Sequence, residues 1–154
     1  MVVSDTGPIL NLAYAEYLWL LPTLFGEVLI PVAVADELAS YGIRIDGSPW
    51  LIRRVAPEAL WKPMVGSYLQ IGEAQAIALA LQVEAGRILV DERAGRKTAV
   101  GAGLRTSGTL GILALAKRDG AIAACRPVLD DVRVKAGAWF GQKLVREFLE
   151  SVGE

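Results

Sequence analysis

Short apolar runs alternate along the chain with longer stretches that have helical periodicity. Strands are predicted at residues 1–4, 27–31, 50–55, 87–90 and 104–106. Helices are predicted at residues 9–13, 14–25, 32–40, 72–85, 91–102, 109–118, 128–136 and 139–150, with irregular segments at 41–49 and 57–67. This alternation predicts an α/β fold with a parallel sheet, formed as a single domain over residues 1–154.

Two of the predicted strands end in an aspartate. Asp5 follows Val2-Val3-Ser4, and Asp91 follows Ile88-Leu89-Val90. The carboxyl ends of parallel strands meet at one edge of the sheet, where open α/β sheets bind ligands. A single aspartate at such a position is more often only a helix N-cap. The pair is more informative, because it brings two carboxylates to the same edge.

Three glutamates are further candidates for this edge. Glu37 lies inside a predicted helix, where an exposed polar position is the ordinary explanation. Glu73 begins the helix at 72–85, where an acid suits the helix dipole, yet it shares a face with Ile77 and Leu81. Glu92, beside Asp91, either supports the site or is simply an exposed acid. Converging carboxylates repel each other unless a cation neutralises them, so the cluster indicates a divalent metal.

Composition narrows the chemistry of such a site. The chain contains no histidine and one cysteine, Cys125, which excludes His-dependent nucleophiles, His-ligated zinc and an internal disulfide. A metal must therefore have oxygen ligands, which favours Mg²⁺ or Mn²⁺. The single cysteine, with no signal peptide or transmembrane span in the sequence, predicts a cytoplasmic location and no membrane partner.

The charges are unevenly distributed. The formal net charge is −1, yet residues 87–118 carry seven basic side chains against two acidic ones. That segment could face a phosphate backbone, or it could be a solvated helix face with ion pairs. The hydrophobic fraction of 53% and the mean hydropathy of +0.40 are high for a soluble monomer, so we expect a homodimer or another partner.

The acidic motifs, taken in order, resemble those of the PIN domain, a family of metal-dependent ribonucleases. The motifs are Ser4-Asp5-Thr6, Glu37, Gly72-Glu73-Ala74 and Asp91-Glu92-Arg93. The segment 91–99, with Gly103-Leu104 and 108–113, is similar to a prokaryotic PIN-like subfamily close to the VapC toxins. The resemblance implies a three-layer α/β/α sandwich with a mostly parallel sheet of four to five strands. It also implies a Mg²⁺ or Mn²⁺ site that cuts single-stranded RNA, and a separate antitoxin chain.

The resemblance assigns roles to particular residues. Asp5, Glu37 and Asp91 match three family acids, and Glu73 stands where VapC-like toxins typically have an aspartate. These four residues are thereby implied to be catalytic and to hold the metal; whether Glu92 is a fifth ligand stays open. Thr6 and Thr109 resemble hydroxyl positions near the metal, although Thr109 also suits a helix cap. Of the basic residues, Arg93, Arg96 and Lys97 could hold neighbouring phosphates, and Arg96 could equally neutralise the acids from behind.

Three other functions compete with a metal-dependent ribonuclease. A receiver-like domain needs an acidic pair near the first strand, where only Asp5 stands. A phosphatase of the haloacid dehalogenase type needs a second aspartate at the position that Gly7 occupies. A catalytically inactive PIN-like scaffold, acting as a protein-interaction module, remains the alternative to a nuclease.

Overall fold

Five parallel strands form the central sheet in the computed structural model, which describes residues 1–66 and 68–154. They are β1 (Val2–Ser4), β2 (Val28–Pro31), β3 (Leu51–Arg54), β4 (Arg87–Leu89) and β5 (Thr106–Ser107), in the order β3-β2-β1-β4-β5. Because β1 lies at the centre, β2 and β4 pair with it on either side. The chain order therefore reverses at β1, and in open α/β sheets ligands bind at such a point.

Helices cover both faces of this sheet. Within the described residues they are α1 (Thr6–Tyr14), α2 (Leu20–Phe25), α3 (Val32–Ser40), α4 (Glu58–Trp61), α5 (Ile71–Gln82), α6 (Arg93–Gly101), α7 (Thr109–Arg118), α8 (Cys125–Lys135) and α9 (Gln142–Ser151). Val28 and Ile30 point into one hydrophobic cluster with α1, α2, α7 and α8, whereas Leu29 points into the other with α5. Alternate residues of one strand thus pack on opposite layers, which confirms the predicted three-layer α/β/α sandwich.

The prediction of one helix over residues 14–25 is wrong, because the chain leaves α1 after Tyr14 and re-enters a helix only at Leu20. Glu16 adopts a left-handed conformation with φ of 68°. The Tyr17 amide then donates to the Leu12 carbonyl at 2.8 Å, and the Glu16 amide donates to the Ala13 carbonyl at 3.1 Å. This pair of bonds is a Schellman motif, in which a non-glycine residue occupies the position that usually belongs to glycine.

Helix α5 ends in the same way, earlier than predicted. Gly86 was expected to close it, but Glu84 takes the left-handed conformation with φ of 49° and the helix stops at Gln82. The Ala85 amide donates to the Ala80 carbonyl at 2.9 Å. A pattern that relies on glycine as the stop signal misses helix ends at which glutamate adopts this backbone conformation.

Several other boundaries differ from the predictions. Strand β5 lies at 106–107 instead of 104–106, because the Leu104 amide still completes the end of α6. Helices α8 and α9 begin at Cys125 and Gln142 instead of 128 and 139. The segment 57–66 is not irregular, since it contains α4 and a 3₁₀ turn at Lys62–Met64; the last residue of that prediction, Ser67, lies outside the described residues. Another 3₁₀ turn, Ile45–Gly47, lies within the predicted loop 41–49.

No described helix combines the length and the apolar character that a membrane crossing would require.

Candidate active site

Asp5 and Asp91 lie at the same edge of the sheet. Strands β1 and β4 are adjacent and in register, with Ser4 opposite Leu89. The Asp5 amide continues this ladder by donating to the Leu89 carbonyl at 2.8 Å. Each aspartate therefore leaves the sheet where its strand ends and the connection to the next helix begins, as the sequence predicted.

The Asp5 carboxyl is buried among other acids. Asp5 is 5% exposed, and the pKa of its carboxyl is raised from 3.8 to about 7. Burial is the largest cause, and the negative charges of Glu73, Glu37 and Glu92 raise the pKa further, whereas the Thr6 backbone amide lowers it. The surroundings of Asp5 thus destabilise its ionised form, and a bound cation would stabilise that form.

Glu37 and Glu73 approach Asp5 from α3 and α5. A Cβ atom placed on Gly72 would lie 3.3 Å from Glu37 Oε2 and 3.6 Å from Asp5 Oδ1, so both carboxylates lie against the first turn of α5. Thr6 Oγ1 donates to Glu37 Oε2 at 2.9 Å. Glu73 Oε2 accepts from the Gln70 amide at 2.9 Å, which makes it a cap for its own helix.

Asp91 is held separately by α1 and α7. Its Oδ1 accepts from the Thr109 amide at 2.6 Å, and its Oδ2 accepts from Thr109 Oγ1 at 2.7 Å and from Asn11 Nδ2 at 3.2 Å. Asn11 Nδ2 also lies 3.1 Å from Thr109 Oγ1. Because a carboxylate only accepts hydrogen bonds, it must face the amide nitrogen of Asn11 and not its oxygen. Thr109 therefore does not cap α7, whose N-cap residue is Gly108, and its amide and hydroxyl hold Asp91 instead.

Sequence reasoning missed Asn11 as part of this site. It lies between Leu10 and Leu12 in α1, and nothing in a single sequence sets it apart from an exposed helix residue. One signal was available: Asn11 is six residues after Asp5, so a helix that begins at the carboxyl edge of β1 carries it less than two turns from that edge.

The donor set fits a hard divalent cation. All the candidate ligands are carboxylate oxygens, and the clustered negative charge around buried Asp5 favours a cation of charge two. As oriented, however, no three acidic side chains of the described residues could hold one ion together. Glu73 is engaged with the Gln70 amide, Glu37 with Thr6, and Asp91 with Thr109 and Asn11, so ion binding requires some of these carboxylates to turn.

A basic surface adjoins Asp91. A pocket of about 450 Å³ is lined by Asp91, Arg93, Arg96, Lys97, Val100 and Thr106. The three cations are exposed on α6, and none of them forms an ion pair with another described residue. A Cβ on Gly108 would lie 3.5 Å from Arg96 Nη1 and closer still to Asp91 Oδ1, so Arg96 lies beside Asp91. Glu92 precedes α6 with an exposed side chain that makes no capping bond.

Comparison with known proteins identifies the family. The sequence profile of the DUF3368 family, described as a PIN domain, matches residues 1–154. The chain belongs to the PIN domain family. PIN domains are generally nucleases that use divalent metal ions. A search of curated proteins gave no significant match.

The PIN assignment agrees with a solved structure. A PilT N-terminus domain protein from the hyperthermophilic archaeon Sulfolobus solfataricus superposes with a TM-score of 0.55. The match covers 74% of this chain and 92% of that chain at 16% identity. At this identity the likeness shows the fold alone, and the narrower resemblance to VapC toxins stays a prediction.

Proposed function

We propose that this PIN domain is an endoribonuclease that depends on Mg²⁺ or Mn²⁺ and cuts single-stranded RNA. The observation that carries the proposal is the burial of Asp5 beside Glu37 and Glu73, which raises its pKa to about 7. A fold that only needed a helix cap after β1 would gain nothing from this arrangement, because the anion is unfavourable there without a cation.

In the proposed site, Asp5, Glu73 and Asp91 hold the ion, and Glu37 either holds a second ion or orients a water molecule. Such ions activate water for attack on a phosphodiester and stabilise the leaving oxygen. Thr6 positions Glu37 through its 2.9 Å hydrogen bond, and Thr109 with Asn11 positions Asp91. Cleavage is expected to leave a 5′-phosphate and a 3′-hydroxyl.

Arg93, Arg96 and Lys97 are proposed to bind phosphates on either side of the bond that is cut. They line the same pocket as Asp91, and they are exposed and free of ion pairs within the described residues. Contacts of this kind with single strands weaken as the salt concentration rises. The logarithm of the binding constant falls by about 0.7 for each tenfold increase in salt and each phosphate neutralised.

Cleavage of an end-labelled single-stranded RNA tests the proposal. Wild-type protein should cut in Mg²⁺ or Mn²⁺ and not in EDTA, and the products should carry 5′-phosphates. Asp5→Asn should lower the rate by at least about 100-fold, whereas Asp46→Asn, an exposed acid on the 3₁₀ turn at 45–47, should not. Undiminished cleavage by Asp5→Asn would remove Asp5 from the mechanism, and binding of RNA or protein without cleavage would favour the inactive scaffold.

We further propose that the nuclease is the toxin of a toxin–antitoxin pair, acting in the cytoplasm as a homodimer with a separate antitoxin chain. Support comes from the resemblance of residues 91–99 and 108–113 to VapC-like sequences. Induced expression of the wild type alone should arrest bacterial growth, and Asp5→Asn should not. Normal growth with wild-type protein at a confirmed level of expression would contradict the toxin role and leave the nuclease proposal in place.

A further inference from the structure

A second cleft opens beside the carboxylates, on the side away from α6. It lies between α3 and α5 and has a volume of about 680 Å³. Glu37 and Gly72 line it, and both residues also border the acidic site, so the cleft is continuous with the place where an RNA phosphate would be cut. Its apolar walls are Val32, Val65 and Ile71.

The polar groups of this cleft are amides and acids. Gln75 Oε1 accepts a hydrogen bond from the Ala33 amide at 3.0 Å, which fixes the orientation of the side-chain amide. Its NH₂ group has no hydrogen-bond partner among the described residues, so it is left as a donor. Asp36 and Glu37 are the charged residues of the lining, and the lining contains no cation.

The two sides of the acidic site therefore differ in chemistry. The α6 side presents Arg93, Arg96 and Lys97, which suit a phosphate backbone. The cleft between α3 and α5 would repel phosphate, because its charged residues are both acidic. Its aliphatic walls match the faces of an unstacked base, and the Gln75 amide and the Asp36 carboxylate match hydrogen-bonding groups on a base edge.

We infer that the cleft between α3 and α5 is a nucleobase subsite, which holds one base of the RNA strand beside the bond that is cut. The strand then crosses the acidic site with its backbone over α6 on one side and an unstacked base in the cleft on the other. A base in this position fixes which phosphate reaches Asp5, and its edge is read by Gln75 and Asp36. This inference rests on the proposed ribonuclease function, because it assigns a part of the same substrate.

An abasic scan tests the subsite. One abasic nucleotide is moved along a single-stranded RNA with a known cleavage position, and kcat/KM is measured for each RNA. An abasic position next to the cleaved bond, on one side only, should lower kcat/KM by about 10-fold. Ile71→Ala, at an exposed cleft residue, should lower kcat/KM for intact RNA by about 3- to 10-fold but have little effect on RNA that is abasic at that position.

Two further variants make the scan decisive. Val65→Ala, at another cleft wall, should behave like Ile71→Ala. Val134→Ala removes the same two methyl groups as Val65→Ala, but from an 83% exposed position on α8, and it should leave cleavage unchanged. Equal effects of abasic sites at every position, or Ile71→Ala and Val65→Ala rates equal to that of Val134→Ala, would overturn the subsite alone. Failure of the wild type to cut any RNA would instead overturn the proposed function, and the subsite with it.

Discussion

Asp5, a proposed metal ligand, destabilises the metal-free protein at neutral pH. Because its pKa is raised from 3.8 to about 7, the folded protein keeps a proton that the unfolded chain releases between those pH values. The free energy of unfolding contributed by this group therefore falls as the pH rises from about 4 to 7 and changes little above that range. A bound cation would offset this cost at neutral pH.

Asp5→Asn should consequently stabilise the metal-free protein. We expect a gain of about 1–3 kcal/mol in the free energy of unfolding at pH 8 in EDTA, and almost none near pH 4. Urea denaturation of both proteins across this pH range measures the difference. A variant that is less stable than the wild type at pH 8 would show that the Asp5 anion is not under electrostatic stress.

Thr109 and Asn11 offer a second test at the level of single residues. Thr109→Val keeps the shape of the side chain but removes the hydroxyl that donates to Asp91 Oδ2, whereas Thr109→Ser keeps the hydroxyl. We expect Thr109→Val and Asn11→Leu to weaken Mn²⁺ binding by about 10- to 100-fold, and Thr109→Ser by much less. Calorimetric titration with Mn²⁺ measures this, and equal affinities for Thr109→Val and Thr109→Ser would contradict the positioning role.

Single residues also show how far sequence reasoning reaches into the site. Asp5 and Asp91 were predicted to share an edge because strand ends can be read from apolar runs, and β1 and β4 are indeed neighbours. The engagement of Glu73 with the Gln70 amide and the contact of Asn11 with Asp91 could not be predicted. Both depend on side-chain orientation, and the second joins residues 80 positions apart.

At the level of elements, a helix end is predicted well where a glycine takes the left-handed conformation after the helix and poorly where another residue takes it. Helix α6 ends at a left-handed glycine, Gly103, with φ of 86°, and its end was predicted to within a residue. Helix α5 ends at left-handed Glu84 and was predicted three residues too long, and left-handed Glu16 lies in the break that the helix predicted over 14–25 did not anticipate. Glutamate carries no sequence signal for this conformation, because it is ordinarily a helix former.

The two kinds of helix end give a reciprocal pair of variants. Glu84→Gly should stabilise the protein by about 0.5–1 kcal/mol, because glycine adopts positive φ without steric cost. Gly103→Ala should destabilise the protein by about 1 kcal/mol, because the alanine Cβ is disfavoured at positive φ. Thermal unfolding of both variants measures the effects, and a loss of stability in Glu84→Gly would mean that the exposed Glu84 side chain makes a favourable interaction.

Glu154, which follows α9, connects this helix to α7 and α8 through hydrogen bonds and an ion pair. The Glu154 carboxylate accepts hydrogen bonds from the Cys125 and Arg126 amides at 2.7 and 2.9 Å, and it forms a 3.0 Å ion pair with Lys117. These contacts lower its pKa from 4.5 to about 2, with the two backbone amides as the main cause. A residue after α9 thereby caps the start of α8, which explains why α8 begins before the predicted position.

Glu154→Gln should lower the melting temperature at neutral pH, by about 2–4 °C if the bond is worth as much as an ordinary helix cap. The stabilisation by a carboxylate with a lowered pKa is fully present above about pH 4.5 and is lost as the pH falls towards 2. Melting temperatures of wild type and variant should therefore converge in acid. A difference that stays constant from pH 7 to pH 2 would show that the charge of Glu154 is not responsible.

At the scale of the whole molecule, the fold class followed from the alternation of strands and helices, whereas the strand order did not. The order β3-β2-β1-β4-β5 brings residues 5 and 91 together and places α3 and α5 beside the first of them. Local patterns carry no information on which strands become neighbours. They predicted a shared edge for Asp5 and Asp91 and offered the glutamates only as candidates for it, whereas the resemblance to PIN domains implied that all four carboxylates converge. The structure adds that these carboxylates are held apart by protein donors and divide two unlike surfaces.

The central claim is that the acids around Asp5 hold a divalent cation, and calorimetric titration with Mn²⁺ tests it most directly. Wild-type protein at neutral pH should bind one or two ions and release protons as it does so, because Asp5 must ionise. Asp5→Asn should bind at least about 100-fold more weakly, without that proton release, and Asp46→Asn should bind like the wild type. Equal Mn²⁺ affinity in wild type and Asp5→Asn would contradict the account.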